Sequence, residues 1–219
     1  MGWPTLRTGL PLTSFLNAMR EMRATVARRS PANAMPVMAM IGAGAGIDRS
    51  IAALNVALAA ARDGARVLMI DADQAQHALS NKVNGLGKSP VSRLGWLSIG
   101  TKASRAIKTA NGISILPVIK GSDVKASDAI RKAIAQARSA GGYDLVILDG
   151  PAMPWSAADR KLLDIADGLV AILPVSLDIN NCMEDIIAAL GGAERKLTGV
   201  VLNELSPAAI NPQRDKQYA

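Results

Sequence analysis

Residues 40–73, MIGAGAGIDRSIAALNVALAAARDGARVLMIDAD, constrain the fold more than any other stretch of the chain. A short apolar run at 37–41 enters a glycine-rich loop, and the loop enters an alanine-rich helix from about Ser50 to Arg62. Asp63 and Gly64 end that helix, and a second apolar run closes on two aspartates, Asp71 and Asp73. Strand, loop, helix, strand is a βαβ unit, which makes its two strands parallel. The second run, RVLMIDAD, has no polar face, as expected of a strand buried on both sides.

The alternation continues along the chain. GISILPV, YDLVILDGP, DGLVAILPV and KLTGVVLNEL read as four more strands, with helices predicted over 127–139 and 181–190. Six strands with intervening helices predict a three-layer α/β/α domain around a mainly parallel sheet, here assigned to residues 36–207. Ahead of it, TSFLNAMREMRATVARR places Phe15, Met19, Met22 and Val26 at steps of three and four residues, a helical arm within residues 1–35. Pro31 and Pro36 end the arm. Residues 77–111 are rich in Ser, Lys and Gly and predict a mobile loop with one or two short helices, with His77 a surface residue of that loop. Residues 208–219 read as a disordered tail.

Ligands of open parallel sheets bind at the carboxyl ends of the strands. The polar strand ends are the loop at 42–50, Asp71 with Asp73, Asp149, and Asn203. For the glycine loop, two ligand-binding readings compete with a simple tight connection kept for packing. A dinucleotide fingerprint would need a third small residue where Ile47 stands. A phosphate loop would need a cation followed by a hydroxyl at the helix start, where Arg49 and Ser50 stand. Carboxylates at Asp73 and Asp149 have no role in the first reading, whereas magnesium–phosphate chemistry requires them. Asn203 is equally accounted for as a ligand contact or as ordinary turn chemistry.

Together the runs RSIAALNVALAAARDGARVLMIDAD, LVILDGP and GVVLNEL resemble the MinD/ParA class of deviant P-loop ATPases. Within that class the chain is most similar to bacterial tyrosine kinases, the cytoplasmic domains of exopolysaccharide co-polymerases. LMIDAD resembles the second Walker motif of that family, and VILDGPA resembles its Walker B with Ala152 in place of a proline. NAMREMR resembles the E-x-x-R-x-x-R helix that joins neighbouring kinase domains into a ring; Arg20 and Arg23 match and Asn17 replaces the glutamate.

The resemblance implies ATP or ADP with Mg2+ as cofactors. Gly44, Gly46, Arg49 and Ser50 would hold the phosphates, and Asn203 would approach the adenine. Ser50, Asp71 and Asp149 would serve the metal, while Asp71, Asp73 and Arg49 would carry the catalytic contacts. It further implies ring-type homo-oligomers joined through Arg20 and Arg23. A membrane co-polymerase segment or activator would be the partner, with Tyr218 as a phosphate acceptor. The implied location is the cytoplasmic face of the inner membrane.

The departures point to impaired turnover. Asp48 occupies the position of a glycine, Arg49 that of a lysine, and Gly44 that of the signature lysine of the class. A carboxylate about 4 Å from a phosphate charge costs roughly 4 kcal/mol at an effective dielectric of 20, about three orders of magnitude in affinity. Asp48 could relieve this by turning outward or by pairing with Arg49. Tyr143 and Tyr218 are the only tyrosines, too few for an acceptor cluster. The expectation is a kinase-like domain weak or inactive in ATP turnover, acting as a regulatory or scaffolding module. The alternatives are an active autokinase and a MinD/ParA-type positioning ATPase.

Composition limits the partners. A formal net charge of +7 draws anions. Without a Lys/Arg tract, and with 3% aromatics for base stacking, no nucleic-acid partner is expected. Cys182, the only cysteine, excludes an internal disulfide and suits a reducing compartment. No apolar run reaches the roughly 18 residues of a membrane span, so any membrane contact is expected through a partner or a fused segment.

Overall fold

The computed structural model describes residues 12–32, 34–44, 49–85, 106–109, 112–117, 123–175 and 178–203, with only the backbone at 12–15, 82–85 and 123–125. Gly46, Asp48, Tyr218, the remainder of the loop expected at 77–111 and the expected tail lie outside the described residues.

Among the described residues seven strands form one sheet in the order β3-β4-β2-β5-β1-β6-β7. They are β1 (Val37–Gly42), β2 (Val67–Asp71), β3 (Ile107–Lys108), β4 (Ile113–Leu116), β5 (Leu145–Ala152), β6 (Gly168–Pro174) and β7 (Leu197–Asn203). Every pairing is parallel except that of β3 with β4. The sequence reading therefore missed one strand. Two residues pairing antiparallel at a sheet edge leave no periodicity to read.

Among the described residues six α-helices flank the sheet: α1 (Leu12–Arg29), α2 (Arg49–Arg62), α3 (Ala78–Gly85), α4 (Asp123–Ala140), α5 (Ala157–Ile165) and α6 (Ile179–Leu190). The sequence reading began the fourth helix at Ser127 and passed over α5 altogether. Helix α5 is set by a capping box: Asp159 N donates to Ser156 Oγ, and the Asp159 carboxylate accepts from Ser156 N at 2.8 Å. Leu162 and Leu163 then bury its inner face.

Strand side chains alternate between two cores, as the two-residue period requires. Val37, Ala39 and Ile41 join Leu68, Ile70, Ile130, Ile134, Leu162 and Ile186 on the side of α4, α5 and α6. Met38, Met40 and Met69 join Ala52, Ala53, Ala57, Ala60, Met19 and Val26 on the side of α1 and α2. The alanines of α2 let that helix lie close to the sheet, and flexible methionines fill the space between.

Helix α1 is part of the second core, since Val26 is fully buried and Met19 nearly so. Two strand glycines admit it. A Cβ at Gly168 would lie 2.5 Å from Val26 Cγ2 and 2.6 Å from Thr198 Oγ1, and one at Gly199 would lie 2.6 Å from Met22 Cε. Gly168→Ala should therefore loosen α1 from β6 and cost about 1–3 kcal/mol by overpacking. Equilibrium urea unfolding of the variant against the parent measures this.

Candidate functional site

The site lies at the carboxyl ends of β1, β2 and β5. The chain leaves β1 toward β2 in one direction along the sheet and leaves the neighbouring β6 toward β7 in the other, so its connections diverge beside β1, which in parallel sheets opens the ligand crevice. Asp71 is the last residue of β2 and stands in register with Asp149. Asp149 falls within β5, which runs on past it to Ala152. The strand continues because it carries a bulge: Met40 pairs with Asp149 but Gly42 pairs with Ala152. A Cβ on Gly150 would lie 2.6 Å from the Met40 carbonyl oxygen, so only glycine permits this approach.

Arg49 opens α2 and is buried at 2% exposure, unusual for a guanidinium. Its Nη2 donates to Asp73 Oδ2 at 2.5 Å and its Nε donates to the Gly150 carbonyl at 3.3 Å. Its Nη1 is buried without a partner. Arg49 is thus paired with Asp73, across two strand ends, while Asp48 lies outside the described residues. Asp73 is held by the turn that follows β2, where its Oδ1 accepts from the backbone N–H groups of Ala75 and Gln76, each at 3.1 Å.

Ser50 donates its hydroxyl to Asp149 Oδ2 at 2.6 Å, and Asp149 Oδ1 is buried without a partner. Desolvation pushes the Asp149 carboxyl up to about 7; the Ser50 hydrogen bond opposes this and the Asp71 charge adds to it. Burial also raises Asp71, against hydrogen bonds from Ser80. Ser80 Oγ and N reach Asp71 Oδ2 at 2.5 and 2.8 Å, and Asp73 N reaches Asp71 Oδ1 at 3.2 Å. The sequence reading missed Ser80; its signal was a hydroxyl near the start of the helix that follows D-x-D.

The remaining expected residues are more dispersed. Gly44 has open space where a side chain would be. Asn203 is buried at the end of β7, and its carbonyl accepts from Val175 N. Arg20 forms a two-pronged pair with Asp63 at 2.7 and 2.8 Å, and Arg23 approaches the same carboxylate at 3.9 Å. His77, half-buried with its backbone at φ 51°, places Nδ1 3.1 Å from the Asp73 carbonyl. Tyr143 is half-buried against the first core. No group of three or more His, Cys, Asp or Glu side chains among the described residues is arranged to hold a metal by itself. The oxygen donors of Ser50, Asp71 and Asp149, one without a partner, fit magnesium, a cation that keeps waters and shares its shell with phosphate.

A parallel sheet whose first strand opens through a glycine loop onto Arg-Ser, faced by aspartates from two neighbouring strands, defines a P-loop NTPase domain of the MinD/ParA type. A family model described as the ATPase MipZ matches residues 37–196. The chain belongs to that family.

Among curated proteins it is similar to the succinoglycan biosynthesis transport protein ExoP of Rhizobium meliloti (strain 1021), 24% identical over 202 residues. That alignment takes in 89% of this chain and 25% of the relative, so the chain spans about a quarter of the length of that protein. Among solved structures, the kinase domain of VpsO matches with a TM-score of 0.61 at 18% identity, over 90% of this chain and all of that one. MinD in the MinC:MinD cell division complex of Aquifex aeolicus matches with a TM-score of 0.59 at 19% identity, over 78% of this chain and 69% of that one. At these identities the structural likeness establishes the fold.

Proposed function

We propose that the chain is a tyrosine-kinase-like domain of an exopolysaccharide or capsule export system, acting as a regulatory or scaffolding module with weak or absent ATP turnover. The class of system is supported by the similarity to a succinoglycan transport protein and to the VpsO kinase domain. One observation carries the weak-turnover part. Arg49, which stands where the phosphate-binding cation belongs, is buried and spent on Asp73. A phosphate arriving at the loop meets a cation that is already neutralised.

When bound, magnesium would neutralise charge on the phosphates. Ser50 and Asp149 would hold it, with Asp71 behind them, and the backbone N–H groups at the start of α2 would face the phosphate oxygens. The domain would sit at the inner face of the membrane through a co-polymerase partner or fused segment. Among the described residues no helix is long and apolar enough to cross a membrane. Copies would assemble through the Arg20 and Arg23 face of α1.

Calorimetric titration of the purified chain with ATP and with ADP, with and without magnesium, tests this. The expected dissociation constants are about millimolar, near 4 kcal/mol of binding. Micromolar binding with hydrolysis would favour the active autokinase. Mass spectrometry after incubation with ATP should find Tyr218 unmodified; phosphate there would be decisive against the scaffold reading. The match to the ATPase MipZ favours a second reading, a MinD/ParA-type positioning ATPase. Magnesium-ATP hydrolysis with no phosphate on Tyr218 would support it.

A further inference from the structure

We propose that Asp73 is an inhibitory latch that occupies the Arg49 guanidinium and so withholds it from a bound phosphate, and that Gly42 is the positioning residue that makes room for the latched side chain. This deepens the nucleotide-site reading above and rests on it.

The need for space comes first. Arginine is longer and broader than the lysine of a phosphate loop, and here its stem lies on the backbone at the end of β1. A Cβ at Gly42 would stand 2.4 Å from Arg49 Cδ, 3.1 Å from Cγ and 3.2 Å from Nη1. Gly42 is not among the glycines with positive φ, so its backbone imposes no demand for glycine. What requires glycine at this position is the room taken by Arg49.

The latch itself is preorganised on one side and incomplete on the other. Two turn N–H groups fix Oδ1 of Asp73, which leaves Oδ2 aimed at Arg49 before the guanidinium arrives. The guanidinium gains that carboxylate and one long contact to the Gly150 carbonyl. Its Nη1 gains nothing, although it is buried. A buried donor without an acceptor raises the energy of the latched position relative to one in which an anion accepts from the whole fork. Phosphate and Asp73 therefore compete for one guanidinium. The apparent affinity for phosphate falls by the fraction of molecules in which Arg49 is free.

Two substitutions break the latch from opposite ends. Asp73→Asn keeps a carbonyl for the turn N–H groups but turns an amide NH2 toward the guanidinium, donor against donor. Gly42→Ala leaves Asp73 intact and pushes the Arg49 stem outward. Calorimetric titration of the full chain with magnesium and ADP should show each variant binding at least about tenfold more tightly than the parent. Adding Arg49→Ala to either variant should erase the gain. A role in structure alone would weaken binding or leave it unchanged.

Far-UV circular dichroism and a melting curve establish that each variant is folded, and if Asp73→Asn is not, Gly42→Ala decides. The proposal is overturned if the folded variants bind ADP no more tightly than the parent, a complete absence of binding included. It is equally overturned if the gain survives without Arg49. Micromolar binding by the parent would sink the weak-turnover reading instead, and the ratio of variant to parent would still decide the latch.

Discussion

Asp149→Asn should make the protein more stable at pH 8 and flatten the dependence of its stability on pH between about 4 and 8. Asp149 is fully buried, and its carboxyl is pushed from 3.8 up to about 7, first by desolvation. The folded chain therefore holds the proton more tightly than the unfolded chain does. Stability is greatest below the unfolded value and falls as pH rises through that value. It levels off above about 7, where the folded state carries the ionised group. The full span is roughly 4 kcal/mol, from about three units at 1.36 kcal/mol each. Asp71 is raised as well and adds to the same slope. Asp63 and Asp144 are lowered, so they act in the opposite direction and at more acidic pH.

Asparagine removes the charge and keeps the acceptor for Ser50. It sets an amide NH2 where Oδ1 has no partner, which returns about 1–3 kcal/mol of the gain. The net expectation at pH 8 is about 2 kcal/mol, a rise in melting temperature of about 4–8 °C for a chain of this size. Melting curves of parent and variant at pH 5 and pH 8 read both effects. Parallel pH profiles for the two proteins would show that Asp149 is not the titrating group.

The same residues show what the sequence could and could not say. The alternation of apolar runs and helices was legible because burial on both faces of a parallel sheet leaves continuous apolar strands, and VLMID and GLVAILP are such strands. Asp71, Asp73 and Asp149 were legible as a group because strand ends in such a sheet converge. Their partners were not, since pairing across strands joins residues far apart in the chain. Arg49 lies 24 residues from Asp73, and Ser50 lies 99 from Asp149. Charge alone allowed Arg49 to pair with Asp48, its neighbour. The turn after β2, which aims Oδ2 of Asp73, supplies a partner that no neighbour in the sequence announces. Helix α5 was missed despite a readable signal, Ser156 three residues ahead of Asp159 and then Leu162-Leu163. The bulge in β5 had only the weak cue of Gly-Pro inside an apolar run, and its cause is the position of a neighbouring carbonyl, which no local pattern encodes.

That bulge carries the other large effect, at Gly150. Gly150→Ala places a methyl group 2.6 Å from the Met40 carbonyl oxygen, a backbone atom with no rotamer to change. Relief requires β1 and β5 to part, and these strands lie together in the interior of the sheet. The Gly150 carbonyl also receives Arg49 Nε, so the strain passes directly to the buried cation. Overpacking that cannot be absorbed by side chains falls at the upper end of its range, and about 3 kcal/mol or more is expected. For a chain of this length that is a loss of about 6–12 °C in melting temperature. Gly142→Ala is the matched control. Gly142 is exposed, lacks a positive φ and has nothing within 4 Å of the place a methyl group would take, so the change should stay within about 0.5 kcal/mol. Thermal melts of the two variants beside the parent give the comparison. If Gly150→Ala melts with the control, the close approach of β5 to Met40 is not what holds the site in shape.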